Sequence, residues 1–251
     1  MKHYPAAVLL SVLASAFLFG CQIQREQPTD AQIEVVGMKA IQEADAGAER
    51  KLIAWARQNL PVAQRELGLL YEARPAQRKE ALRLFEQAAR GGDVEAAFEL
   101  GELLRVGVVA GAAPAQVAPQ PLAAVPWYTQ AAQQGHARAA LALGLLYKNG
   151  TGVARNDLQA AHWLETAGAG GNPHAMFLLS YFYREGRGVP QDAAKARTLL
   201  EEAAEHDYPP AIQELAMTVE LGDEHSPKDL HRAGHLLKEA TEHRHNNWNR
   251  F

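Results

Sequence analysis

Histidine and cysteine are the residues that could hold a metal here. His231 and His235 stand four apart, with Glu242, His243 and His245 close behind. On a helix an i, i+4 pair offers both rings to one ion, and a third ligand such as Glu242 would complete a zinc site. The same segment also carries Ala233, Leu236, Leu237 and Ala240, at positions 0, 3, 4 and 7. That spacing is the apolar face of a helix, so His231, His235 and Glu242 fall on the opposite, solvent side. An exposed polar face is the expectation, with no metal. There is no H-E-x-x-H. Cys21 is the single cysteine, which rules out an intramolecular disulfide framework and any C-x-x-C site. Beyond the first 20 residues the serines are Ser180 and Ser226. Neither begins an S-x-x-K, and there is no G-x-S-x-G. No Gly-Lys pair exists to cradle a phosphate. Gly150-Thr151-Gly152 is an isolated G-x-G without a preceding strand. The expectation is a chain that is not an enzyme and has no cofactor.

What the chain does have is repetition. Tyr147, Gly150, Gly152, Val153, Ala160 and Ala167 recur 36 residues later as Tyr183, Gly186, Gly188, Val189, Ala196 and Ala203. An alanine four residues before a leucine, mostly Leu-Gly, occurs at Ala63, Ala96, Ala139, Ala175 and Ala211, at spacings of 33, 43, 36 and 36. A second series pairs alanines seven apart: Ala81/Ala88, Ala124/Ala131, Ala160/Ala167, Ala196/Ala203 and Ala233/Ala240. Between them, large residues (Trp127 and Tyr128, Trp163 and Leu164) fill the plus-three and plus-four slots. Each unit is therefore two helices with one apolar face each, and the two tryptophans read as core. One pair cannot bury its apolar stripe, whereas stacked copies can. Gly150, Gly152, Gly186 and Gly188 fall in the turn, and Gly92, Gly135 and Gly171 end the second helix. At these places a left-handed backbone costs little only for glycine. Ala48, Leu52, Trp55 and Ala56 match the second-helix register and read as a capping half-unit.

The pattern A-x-x-x-L-G-x-x-Y-x-x-G-x-G-V, followed by A-x-x-W-L-x-x-A-x-x-x-G, resembles the Sel1-like repeat family, relatives of tetratricopeptide repeats. The resemblance implies an all-α, right-handed solenoid of about five helix-pair repeats preceded by the capping half-repeat. The third and fourth units match best. The second unit carries an insertion, 106–121, rich in Ala, Pro, Gly and Val.

The N-terminus reads separately. Met1-Lys2-His3 precedes an uncharged, mostly apolar run from Ala6 to Phe19, too short to span a bilayer as a helix. Leu18-Phe19-Gly20-Cys21 resembles a bacterial lipobox, in which the cysteine is lipidated; a plain signal peptide is the alternative. Gln22 after the cysteine implies, by that resemblance, an outer-membrane lipoprotein facing the periplasm. The expected organisation is a signal peptide over 1–21 with lipidation at Cys21, and a flexible tether over 22–37. A capping helix or half-repeat follows over 38–62, then the solenoid over 63–245 and a tail over 246–251. The formal net charge is −4, and no basic patch with interleaved aromatics exists, which argues against nucleic acid.

Surface shape remains as the carrier of function. In tetratricopeptide-type stacks the first helix of each pair lines a concave groove. Carried over by position, the inward residues include Phe98, Glu102, Arg138, Leu141, Leu145, Lys148, Phe177, Tyr181, Arg184 and Met217. Phe98, Leu141 and Phe177 read equally well as core. Apolar anchors within a charged rim suit a protein partner, and the 106–121 insertion is the alternative grip. Small Sel1-like lipoproteins of this kind resemble immunity proteins that occlude a type VI secreted antibacterial phospholipase in the periplasm. A scaffold for an envelope machine, such as an exopolysaccharide exporter, or a regulator of a membrane sensor fits the same features.

Overall fold

The computed structural model describes residues 27–107, 118–222 and 228–246. The signal peptide, Cys21, most of the 106–121 insertion and the tail after Asn246 lie outside the described residues. Among the described residues there are twelve α-helices and no strand. They pair in sequence as α1 (Asp30–Gln42) with α2 (Ala46–Ala56), α3 (Pro61–Glu72) with α4 (Arg78–Arg90), and α5 (Val94–Val106) with α6 (Pro121–Gln133). Then come α7 (Ala137–Asn149) with α8 (Asp157–Ala169), α9 (Pro173–Glu185) with α10 (Ala193–Glu205), and α11 (Pro209–Leu221) with α12 (Leu230–Asn246). Each helix packs on its sequence neighbours, which makes an α-solenoid. No described helix is long and apolar enough to cross a membrane.

The alanine anchors explain the packing. Ala63, Ala96, Ala139, Ala175 and Ala211 are all buried, as are Ala81, Ala88, Ala124, Ala131, Ala160 and Ala167. Methyl-sized side chains at these points let helix axes approach closely. Opposite them, the large residue of each second helix fills a notch in the first: Phe85 lies against Gly68, Tyr128 against Gly101 and Leu164 against Gly144. In these three units the plus-four slot is more deeply buried than the plus-three slot. Trp127 and Trp163, one residue earlier, are half-buried at its edge, a correction to their reading as core residues.

Helix starts are repeated too. The side chains of Asp93, His136 and Asn172 each accept a hydrogen bond from the backbone N–H of the anchor alanine three residues on, at 2.8, 3.1 and 3.0 Å. Two residues before each first helix from α3 onward the backbone turns left-handed, at Asn59, Gly92, Gly135, Gly171 and Asp207, with φ between 59° and 94°. Asn and Asp adopt this conformation at lower cost than other non-glycine residues, so the turn persists where the glycine has been lost.

The N-terminal boundary differs from expectation. The tether expected over 22–37 is helical from Asp30. Thr29 caps α1 by accepting from the Gln32 N–H, and the Gln32 side-chain oxygen accepts from the Thr29 N–H, forming a capping box. Ile33, Gly37 and Ala40 are buried, the first at 1% exposure. Within the capping helix or half-repeat expected over 38–62, α2 buries Ala48, Leu52 and Ala56, and α1 packs ahead of it. Val106 and Pro121, taken as the ends of the insertion, belong to α5 and α6.

Candidate functional site

Three consecutive first helices build the groove. A cavity of about 720 Å³ runs beside α7, between α5 and the start of α9, with Phe98, Glu102, Arg138, Leu141, Leu145 and His174 among its lining residues. Five of the ten residues expected in the groove thus come together. They do not play equal parts. Phe98 is 3% exposed and belongs to the main core, one of its two readings, while still lining the cavity. His136 stacks on its ring at 4.6 Å and the Arg138 guanidinium covers it at 4.5 Å. Leu141 and Leu145 are half-buried, forming a partly exposed apolar floor.

Phe177, Tyr181 and Arg184 form a second cluster on α9. The Phe177 ring meets Tyr181 edge-on at 5.1 Å and Tyr208 at 5.4 Å. The Tyr181 hydroxyl donates to Glu214 of α11. Arg184 lies 4.1 Å over the Tyr181 ring and pairs with the same carboxylate at 2.7 Å. Tyr181 is therefore held from both its ring face and its hydroxyl, and is less available as a partner's anchor than its residue type suggests. Met217 is exposed on α11, and Lys148 is half-exposed one turn beyond Leu145.

The electrostatics of the groove change along the stack. On its α3–α5 side Glu72, Glu95, Glu99 and Glu102 crowd together. Burial pushes the Glu99 carboxyl up to about 7, helped by the charges of Glu72 and Glu95 and opposed by Arg138. Burial also raises Glu72. Glu95 moves the other way, because the His136 ring holds it by a 3.0 Å contact. Glu102 accepts from the Tyr128 hydroxyl at 2.6 Å and pairs with Arg105 at 2.5 Å. Burial lowers His174, with the Lys148 charge as a second cause. Glu99 and Glu214 escaped the sequence reading. Both occupy the plus-three slot of a first helix, and that recurrence was the available signal.

The residues weighed for chemistry take other roles. Ser180 is buried and donates to the Phe177 carbonyl at 2.7 Å. His231 and His235 are exposed on α12 with ring centroids 4.7 Å apart. The side chains of Glu242, His243 and His245 lie outside the described residues. Among the described residues no group of three His, Cys, Asp or Glu is placed to hold a metal ion.

Stacked helix pairs presenting a groove with an apolar floor and charged walls define an α-solenoid binding scaffold. The chain belongs to the Sel1 repeat family: the Sel1 repeat pattern matches residues 61–93, 94–136, 137–172, 173–208 and 209–245. It is a Sel1 repeat protein-binding module. The fold is similar to that of c5321, a protective antigen of uropathogenic Escherichia coli strains, at 26% identity and a TM-score of 0.72 over 85% of this chain. That match spans 46% of c5321, so the chain corresponds to less than half of that antigen's length. A Sel1 repeat protein from Oxalobacter formigenes is 24% identical with a TM-score of 0.68, covering 87% of this chain and 88% of that one. The immunity protein Pa5087 from Pseudomonas aeruginosa is 17% identical with a TM-score of 0.47, covering 87% of this chain and 85% of that one; this likeness is too low to transfer a role. A search of curated proteins found no match.

Proposed function

We propose that this chain is a lipid-anchored module, held at the outer membrane through Cys21 and facing the periplasm, that grips a protein partner in its first-helix groove. The observation that carries the reading is the cavity beside α7, where a half-exposed leucine floor lies next to exposed Arg138. Interfaces of this make-up, apolar at the centre and charged at the rim, hold folded partners through a few central contacts. The specific role we assign is immunity: binding and neutralising a type VI secreted antibacterial phospholipase before it reaches the membrane. The support is the lipobox-like Leu18–Cys21 and a repeat array given over to surface rather than to a reactive site.

Two experiments test this. Wild-type chain fractionates with the outer membrane, and Cys21→Ser releases it or leaves it unprocessed; equal retention of both rejects the anchor. In cells exposed to a periplasmic phospholipase toxin encoded by a neighbouring gene, wild-type chain protects and Leu145→Asp, with unchanged helix content, does not. A neighbouring export operon in place of a toxin gene, with no protection, would move the role to scaffolding.

A further inference from the structure

We propose that the outer face of α1 lies on a phospholipid surface, the bilayer that holds Cys21, and so fixes the direction in which the solenoid stands. This rests on the reading of Cys21 as a lipid anchor and adds a second membrane contact, made by the folded chain itself.

α1 carries two apolar stripes. Ile33, Gly37 and Ala40, at i, i+4 and i+7, are buried where the helix packs on α2 and α3. Ala31, Val35 and Met38 repeat that spacing two residues earlier, which turns their stripe about 160° away from the first. Val35 is 47% exposed and Met38 51%, with Ile41 beside them at 40%. A helix that is apolar on opposite sides is normally covered on both. The first element of a repeat stack instead needs a polar outer face to stay soluble. α1 breaks that rule, and among the described residues no unit stands ahead of it.

The patch continues onto α2. Ala31, Gln32, Val35, Val36 and Trp55 line an open groove of about 480 Å³ between the two helices, with no charged side chain among them. On one flank Glu34 is held by Arg65 at 2.6 Å, and on the other Lys39 is exposed. A lysine at the edge of an apolar face reaches phosphate headgroups with its ammonium while its stem stays over the apolar surface.

Chain length and patch size choose the occupant. Cys21 lies nine residues before Asp30, and a chain of that length spans at most about 30 Å. The 13 residues of α1 are themselves about 20 Å long. A lipid on Cys21 therefore keeps this helix within reach of the bilayer, at an effective concentration of about millimolar. A second copy of the chain would need about 20–30 residues a side for a standard interface, and this patch offers a handful. A lipid surface takes an apolar stripe without demanding a matched shape. With α1 docked, the α7 cavity stands three helix pairs further on, about 25–30 Å along the stack at 8–10 Å per packed layer.

The test uses the lipidated full chain in vesicles of three parts phosphatidylethanolamine to one part phosphatidylglycerol. Lipidation consumes the thiol of Cys21, the single cysteine, so an introduced cysteine alone takes a dye. A polarity-sensitive dye is placed at Met38→Cys or, as a control, at Leu158→Cys, an exposed leucine on α8. Nitroxide-bearing lipids should quench the Met38 dye at least about threefold more than the Leu158 dye. Val35→Asp with Ile41→Asp should remove that difference, with helix content and flotation with the vesicles unchanged. High salt should leave it intact, since the contact is apolar. Equal quenching at the two sites, or a difference that survives the two aspartates, overturns the proposal. A Met38 dye that is blue-shifted yet unquenched marks burial against a second copy and overturns it too. Flotation without preferential quenching leaves the Cys21 anchor standing and removes the docking of α1, whereas a chain that does not float removes both.

Discussion

Glu99 gives the groove an inverted dependence on pH. Its carboxyl sits half-buried on α5, facing Glu72 from α3, Glu95 and Glu102 from its own helix, and Arg138 from α7. The folded chain holds the proton up to about pH 7, whereas an unfolded chain releases it near 4.5. Between those values the folded state binds more protons than the unfolded one, so stability falls as pH rises. A full shift of that size corresponds to roughly 3 kcal/mol, and partial solvent screening brings the expected loss to about 1–2 kcal/mol. Glu99→Gln keeps the shape and removes the charge. In urea melts followed by circular dichroism, the variant should equal wild type at about pH 4 and exceed it by about 1–2 kcal/mol at pH 8. In thermal melts that gain corresponds to a few degrees for a chain of this size. Parallel pH profiles for the two proteins would refute the reasoning, because Glu99 would then ionise alike folded and unfolded.

Gly188 has φ +65°, and a Cβ there would collide with the Asp157 carbonyl and come within 2.7 Å of the Leu158 nitrogen, so Gly188→Ala should cost about 1–3 kcal/mol. Gly234 in α12 has open space and no such backbone, so Gly234→Ala should stabilise by about 0.5–1 kcal/mol; equal effects at the two sites would refute the assignment of strain. Leu164→Ala should cost about 2–5 kcal/mol and half-buried Trp163→Ala less, and the reverse order in chemical denaturation would contradict the core register. Asp157, hydrogen-bonded to Arg155 and Arg187, has its carboxyl held down to about 2, so its contribution is present at neutral pH and lost as pH falls from about 4 to 2. The site is partly exposed to solvent, so Asp157→Asn should cost no more than about 1 kcal/mol at pH 7 and close to nothing at pH 2.

The stack was readable because its demands are periodic. An alanine where helices cross, a glycine opposite an aromatic ring and a left-handed turn before each first helix must recur whenever the same packing recurs. Two kinds of feature escaped. The first helix, α1, has no partner in the repeat register, and its Thr29-x-x-Gln32 capping box lay inside a stretch whose polarity suggested a tether. The plus-three and plus-four slots of the second helices are adjacent on the helix face, and residue size made Trp163 look like the core member. Packing gave that place to Leu164, because the helix register points the plus-four residue at Gly144.

The groove was legible as a set of positions but not as a set of partners, and the reason is physical. Within a unit, position predicts which face a side chain takes. Across units, the contacts join the plus-two slot of one first helix to the early slots of the next, as Phe98 meets His136 and Arg138. Nothing in the repeat fixes which residues occupy those slots, because the stack is stable with any that do not clash. The first-helix face is therefore where this architecture leaves side chains free to vary. The same slot holds Phe98, buried under an arginine, then Leu141, half-exposed on a cavity floor, then Phe177, locked into an aromatic cluster. The cavity beside α7 is lined by the first two of these slots, next to Arg138 and Leu145. In the proposed reading, recognition on this solenoid draws on side chains in which one unit differs from its neighbours, and α7 is the unit chosen for test.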